Sequence, residues 1–235
     1  MKHILSAATA MVLAAALCVS AVAVVDPADW KLGRDQGGIQ AFLRNYPGAD
    51  MKEFKGVMRV RGVRLSSLVA TFDDTPSYTR WMHNCTESRL VKVINERERI
   101  TYTVTSAPWP ATDRDTVVYS LISQDPKTLA VTIAITNRPD FIPKQKGRVR
   151  LPMMKALWTF MPLDSGEVMI TYQTVNRAGG GVPQFLLNLS AIDLPFYTMD
   201  KFRKVASEAK YSNAVYDFIE EPVTTVMGAE AKAEG

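Results

Sequence analysis

The sequence predicts an α+β domain in which a curved antiparallel sheet packs its inner face on one long C-terminal helix. Three observations predict it. Strand-like segments follow one another from Leu90 to Asn176 with turn residues between them, the apolar spacing becomes helical from Pro183 to Tyr211, and the strand-helix alternation of a parallel sheet is missing.

Met1-Lys2-His3 is a short basic start, and Ile4 to Val19 is an almost unbroken apolar run, the plan of a signal peptide. Ala21-Val22-Ala23 supplies the small residues that a signal peptidase reads, so residues 1–23 are expected to be removed and the protein to be periplasmic or secreted. A retained anchor is the alternative, since roughly 20 apolar residues span a bilayer. Cys18 follows the bulky Leu17, where lipoprotein processing requires a small residue. Residues 24–221 are expected to form one domain, because no Pro/Ser-rich linker or repeat divides them. Residues 222–235, Ala/Glu/Lys-rich from Thr224 onward and without apolar pattern, are expected to be a disordered tail.

Within the domain a short helix is expected around Ala28–Leu32, then strands at Ile39–Leu43 and Phe54–Gly62, and short helices at Leu65–Phe72 and Pro76–Met82. Strands should follow at Leu90–Asn95, Arg99–Ser106, Thr116–Ser123, Thr128–Thr136, Gly147–Pro162 and Glu167–Asn176, with turns at Asp125-Pro126 and Asp164-Ser165-Gly166. The last helix carries Phe185, Leu186, Leu189, Ile192, Phe196, Met199, Phe202 and Val205 on one stripe, and Pro195 should kink it.

Two strands have unequal faces. Ile100, Tyr102 and Val104 alternate with Thr101, Thr103 and Thr105, while Leu129, Val131, Ile133 and Ile135 alternate with Ala130, Thr132, Ala134 and Thr136. Either the small face is the solvated outside of the sheet, or it leaves space for a ligand between sheet and helix. Periodicity does not choose between them.

Composition excludes several functions. The chain has 28 Lys and Arg against 24 Asp and Glu, and the excess is too small to indicate nucleic acid as a partner. With the leader removed Cys85 is the one cysteine, and His83 is the one other soft ligand, so neither a disulfide nor a metal centre is expected. There is no GxSxG elbow, and Cys85 and His83 are two apart, a spacing that does not bring side chains together on a helix; a packed cysteine is expected instead. Gly179-Gly180-Gly181 precedes a helix but lacks the Lys and Ser/Thr of a phosphate loop, and reads as a hinge. Ala107-Pro108-Trp109-Pro110 stiffens a loop between two strands, so that Trp109 suits either a membrane interface or a place over the end of the core. Arg114 and Asp115 follow, able to neutralise each other or the polar end of a ligand.

These residues resemble the START (StAR-related lipid transfer) family from Trp30 to about Ala209. Trp30-Lys31-Leu32 with Gly38-Ile39 is similar to the family's opening, Lys52-Glu53-Phe54-Lys55-Gly56 to its second strand, and Trp81 to the Trp closing its short helices. Ala107-Pro108-Trp109-Pro110 through Arg114-Asp115 resembles its proline loop and Arg-Asp signature, and Gly180-Gly181-Val182-Pro183 its entry to the last helix. The resemblance implies a helix-grip fold, an internal tunnel, no cofactor, no catalysis and a monomer that carries one lipid. It implies a tunnel lined by Trp81, Tyr102, Arg114, Tyr119, Trp158, Tyr172, Phe185, Leu189 and Phe196, and a membrane-docking mouth at Trp109, Pro110, Gly180, Val182 and Pro183. Sterol-carrying members place an acidic and a basic tunnel residue where this chain has Thr103 or Val104 and Ser120, none of them charged. A phospholipid, fatty acid or hopanoid-like lipid is therefore expected no less than a sterol. An enzyme of the cyclase or hydrolase kind acting on a hydrophobic substrate is the alternative, because one fold hosts several functions.

Overall fold

The structure, a computed structural model, describes residues 29–180, 182 and 184–222, with the backbone alone at 184–190. The expected leader therefore lies outside the described residues, as does nearly all of the expected tail.

Ten strands form one open sheet. In chain order they are β1 (Lys31–Gln36), β2 (Ile39–Asn45), β3 (Lys52–Arg61), β4 (Cys85–Asn95), β5 (Glu98–Thr105), β6 (Arg114–Gln124), β7 (Val131–Asn137), β8 (Val149–Arg150), β9 (Met153–Pro162) and β10 (Glu167–Arg177). Their spatial order is β1-β2-β3-β10-β9-β7-β6-β5-β4, antiparallel throughout, while the two-residue β8 runs parallel beside β6. Two short helices, α1 (Leu65–Asp73) and α2 (Tyr78–Trp81), are joined by a 3₁₀ turn at Thr75–Ser77, and the long helix α3 (Gln184–Ala206) is followed by one turn, α4 (Ala209–Ser212).

The first strands show why the sheet folds here. Gly37 and Gly38 both have positive φ, 60° and 76°, which lets a two-residue turn match the twist of β1 and β2. Lys31 and Leu32, expected to end a helix, instead open β1, a polar edge strand whose face carries little apolar signal. On β3, Phe54, Met58 and Val60 point inward and are buried, and Gly56 between them has no room for a Cβ because Met199 of α3 and the Phe54 ring press on it. That close approach seats α3 on the sheet.

Along α3 the buried residues Phe196, Met199, Phe202 and Val205 recur at three-residue spacing and face β2, β3 and β10. The helix runs unbroken through Pro195, which has no N–H to give the Ala191 carbonyl. Its end at Ala206 comes earlier than expected, since Glu208 adopts an extended conformation and pairs with Arg80 of α2. Other strand limits differ for local reasons. Positive φ at Leu129 (56°) delays β7 to Val131, Pro152 separates β8 from β9, and the polar residues Cys85–Arg89 extend β4 backward through pairing with β5.

The core is aromatic. Trp158 stacks on Tyr172 with centroids 4.0 Å apart, and Phe72 of α1 and Phe202 of α3 close over Trp158 at 5.2 and 4.9 Å. A second, smaller core lies on the outer face of the sheet, where Ile100, Tyr102, Val104 and Val117 pack with Ile142 from the segment between β7 and β8.

Candidate functional site

Strand register decides what the inner face offers. Thr101 pairs with Val118, Thr103 with Thr116 and Thr105 with Arg114, so these side chains share one face, and β6 continues it with Ser120 opposite Ile135 of β7. This hydroxyl-rich wall is not covered by α3 in the way the aromatic core is. A cavity of about 670 Å³ remains between wall and helix. That volume falls within the range for sites that enclose a small hydrophobic molecule.

Phe72, Tyr78, Trp81, Trp158 and Tyr172 form the aromatic floor, and Leu194, Pro195, Tyr197 and Thr198 of α3 face the threonine wall. At the closed end Arg99, on the same strand face, pairs with Asp73 of α1, whose carboxyl burial holds above the ordinary range. The open end is made by the loops between β5 and β6 (Ala107, Pro108, Ala111) and between β10 and α3 (Ala178, Val182), together with Lys52, Arg114 and Arg177.

Among the residues expected in the tunnel, Trp81, Arg114, Trp158 and Tyr172 line the cavity. Tyr102 and Tyr119 do not. Both alternate with the threonine wall and point to the outer face, where the Tyr102 hydroxyl accepts a hydrogen bond from Arg148 at 2.6 Å and the Tyr119 hydroxyl donates to Glu98 at 2.5 Å. Phe196 is also displaced from the expected site, since it belongs to the buried stripe that α3 lays on the sheet, with the Arg34 guanidinium 4.7 Å over its ring, and leaves Tyr197 to face the cavity. Phe185, Leu189 and Pro183 lie outside the residues whose side chains are described. Of the mouth residues, Trp109 is 91% exposed, Pro110 and Gly180 are exposed, and Val182 is half-buried against the cavity.

Arg114 and Asp115 do not neutralise each other, because neighbours on a strand point to opposite faces. Asp115 is buried on the outer face and accepts from the Nε–H and Nη2–H of Arg150, at 3.0 and 2.9 Å. Arg114 stays on the cavity side, held by the carbonyls of Thr112 and Gly179, and burial lowers its pKa.

The cavity also takes in His83, which sequence reasoning left out of the tunnel. The buried Trp81 Nε1–H and His83 Nδ1 have no hydrogen-bond partner among the described residues, and both side chains line the space. Burial above all lowers the His83 pKa. It also pushes the Tyr172 phenol up to about 12 and the Cys85 thiol up to about 11, so both stay protonated at neutral pH. The Cys85 thiol donates to the Glu87 carbonyl rather than approaching His83. No group of three or more metal-ligating side chains occurs among the described residues. Thr103 and Ser120 both line the cavity while Val104 faces away, so these strand positions offer the cavity hydroxyls and no charge.

A START domain family model matches residues 14–186. An uncharacterized Pseudomonas aeruginosa protein is 30% identical over 182 residues, spanning 77% of this chain and 88% of the relative. The crystal structure of a STAR-related lipid transfer protein from Xanthomonas axonopodis is similar with a TM-score of 0.71 and 31% identity, covering 77% of this chain and 99% of that one. Human StAR-related lipid transfer protein 5 shares the fold at a TM-score of 0.64 and 19% identity, over 77% and 88% of the two chains. With its open antiparallel sheet closed on a C-terminal helix and a family match over most of its length, this chain belongs to the START domain family.

Proposed function

We propose that the protein binds a single hydrophobic lipid in the cavity between sheet and α3 and carries it in the cell envelope, acting as a monomer and without chemistry. The observation that carries this reading is the cavity itself, about 670 Å³ with an aromatic floor, a threonine wall and its lysine and arginines gathered at one end. Transfer of an acyl chain from water into such a space is favourable by about 0.8 kcal/mol per methylene, which is enough to hold a lipid without a covalent step. The Xanthomonas protein, at 31% identity, is named for lipid transfer. Export is supported by the basic start and apolar run of residues 1–23.

The groups from which a catalytic site could have been assembled are divided by the sheet. Tyr102, Tyr119 and Asp115 lie on the outer face, apart from Tyr172, a protonated phenol, and from Arg114 and His83 on the cavity side. The protein should therefore be purified from its own envelope and examined by native mass spectrometry. A single bound lipid is expected. A protein that arrives empty, takes no lipid from vesicles and moves none between them overturns the reading.

Trp109 extends this proposal to the membrane. Its ring is 91% exposed on a loop at the open end, a position that suits the water-lipid interface better than bulk water. Trp109→Ala is expected to slow vesicle-to-vesicle transfer roughly tenfold, equivalent to about 1.4 kcal/mol, with unchanged thermal unfolding. An unchanged rate assigns the docking surface elsewhere.

A further inference from the structure

Twelve of the fifteen arginines have a carboxylate within 4.0 Å. The buried ones are all paired, Arg44 with Glu53, Arg99 with Asp73 and Arg150 with Asp115. Three arginines lack such a partner among the described residues: Arg114, Arg138 and Arg177. Arg138 lies over the Tyr119 ring at 5.5 Å on the outer face. The other two line the cavity at its open end.

Arg114 is the more confined of the two. Half-buried, it gives one branch to the Thr112 carbonyl and the other, at a long 3.4 Å, to the Gly179 carbonyl. A guanidinium has five N–H donors, so among the described residues these two contacts leave most of them unassigned. Gly179 is two residues beyond Arg177, so this contact ties Arg114 to the loop that leaves Arg177. Lys52 lines the same cavity, and its ammonium is held by Asn45 at 2.6 Å. Two carboxylates also face the cavity: Asp193 is engaged by Arg34 at 2.7 Å, and Asp50 belongs to the segment leading into β3. Among the described residues the lining thus holds three cations against one carboxylate without a hydrogen-bonded partner.

Asp113 acts on Arg114 from beyond ion-pair distance, its carboxylate accepting from the Ala107 N–H, and burial outweighs it. A half-buried charge whose direct contacts are carbonyls is costly, and a carboxylate or phosphate removes that cost with paired, charge-assisted hydrogen bonds. We propose that Arg114, with Arg177 beside it, is a headgroup site at which the cavity holds an anionic amphiphile head outward, its acyl tail running toward the floor at Phe72 and Trp158. This rests on the lipid-carrying reading and adds to it the charge of the ligand and its direction. Carboxylate and phosphate share the required chemistry, which is two anionic oxygens in the plane of a guanidinium.

Three ligands with the same sixteen-carbon chain test the site: palmitate, hexadecanol and 1-palmitoyl lysophosphatidate, each titrated by displacement of a fluorescent fatty alcohol at low ionic strength. At least one anion is expected to bind about tenfold more tightly than hexadecanol, and the tighter of the two identifies the headgroup as carboxylate or phosphate. Arg114→Gln combined with Arg177→Gln should reduce that preference to within about twofold and leave hexadecanol binding unchanged, whereas Arg114→Lys should keep most of it. If the double variant does not fold, added salt on the native protein decides, because a paired headgroup at the open end loses its advantage as screening rises. Equal binding of all three ligands overturns the headgroup site and leaves the lipid carrier standing. Binding of none overturns the carrier reading itself.

Discussion

Strands β5 and β7 carry the same alternation of bulky and small residues, yet they turn opposite faces to the cavity. On β5 the threonines 101, 103 and 105 line it while Ile100, Tyr102 and Val104 are buried outside, whereas on β7 Val131 and Ile133 are buried inside and Thr132 and Ala134 face outward, half-buried. The difference lies in what covers each face. Behind β5 and β6 the segment between β7 and β8 lays Ile142 on the sheet and β8 adds Arg150, which gives bulky residues a core on the outer side. Behind β7 no such cover exists among the described residues, so its bulky residues turn inward onto Trp158 and the core. Alternation therefore identifies two faces, and only tertiary cover says which one is the interior.

The outer cover is expected to depend on one ion pair. Arg150 and Asp115 are almost completely buried, and Arg150 also donates to the carbonyls of Pro139, Ile142 and Pro143. Asp115→Ala leaves that guanidinium without its anion. A loss of about 3–5 kcal/mol in urea unfolding is expected, the largest effect of any single change considered for this sheet. A loss below about 1 kcal/mol shows that the outer core stands without the pair, and the account of why β5 faces as it does then fails.

The next test exchanges the two threonine faces. Thr103→Leu on β5 places a branched chain inside the cavity and should weaken lipid binding about tenfold, or about 1.4 kcal/mol. Thr132→Leu on β7 makes the same chemical change outside the cavity and should alter binding by less than about twofold. Titration of both variants with one fluorescent lipid reads the comparison directly. Equal losses at the two positions place the bound lipid somewhere other than the observed cavity.

Much of this was legible in the sequence, and the failures have identifiable causes. The succession of strands and the α3 stripe were readable because both periods run over many residues, whereas the prolines flanking Trp109 marked a loop and left open whether its ring is exposed or covers the core. Edge strand β1 was not, since Lys31–Gln36 is polar on both sides and is held by pairing rather than by burial. Tyr102 and Tyr119 were assigned to the tunnel through the family resemblance. The threonines between them took that place, and an outer core formed by a segment some 20 to 45 residues later in the chain leaves no local trace. The separation of Arg114 from Asp115 follows from strand alternation alone and could have been read beforehand; the partner Arg150 could not.

The smallest expected effect isolates the cavity side. His83 lines the cavity beside the Tyr197 ring, 4.9 Å between centroids, with Lys201 and Asp193 acting on it from α3 and Arg34 engaging Asp193. Burial lowers its pKa first of all, Lys201 adds to this, and Asp193 opposes it. The folded state therefore binds a proton less readily than the unfolded chain, whose imidazole titrates near 6.5. As pH falls through that value the unfolded state gains the proton first, so stability should decline and then level off once His83 is charged in both states. The group is partly exposed, and solvent screening keeps the effect below about 1 kcal/mol. On the outer face Glu98 acts in the same sense but in a lower window: the Tyr119 hydroxyl holds its pKa below the usual carboxylate value, so its contribution is lost only as pH falls through the acidic range. Urea midpoints of the native protein and of His83→Gln, compared on either side of the imidazole range, give the cavity contribution as their difference. An identical pH dependence in the two proteins shows that His83 exchanges protons as freely folded as unfolded, and that this stretch of the cavity wall is wet rather than dry.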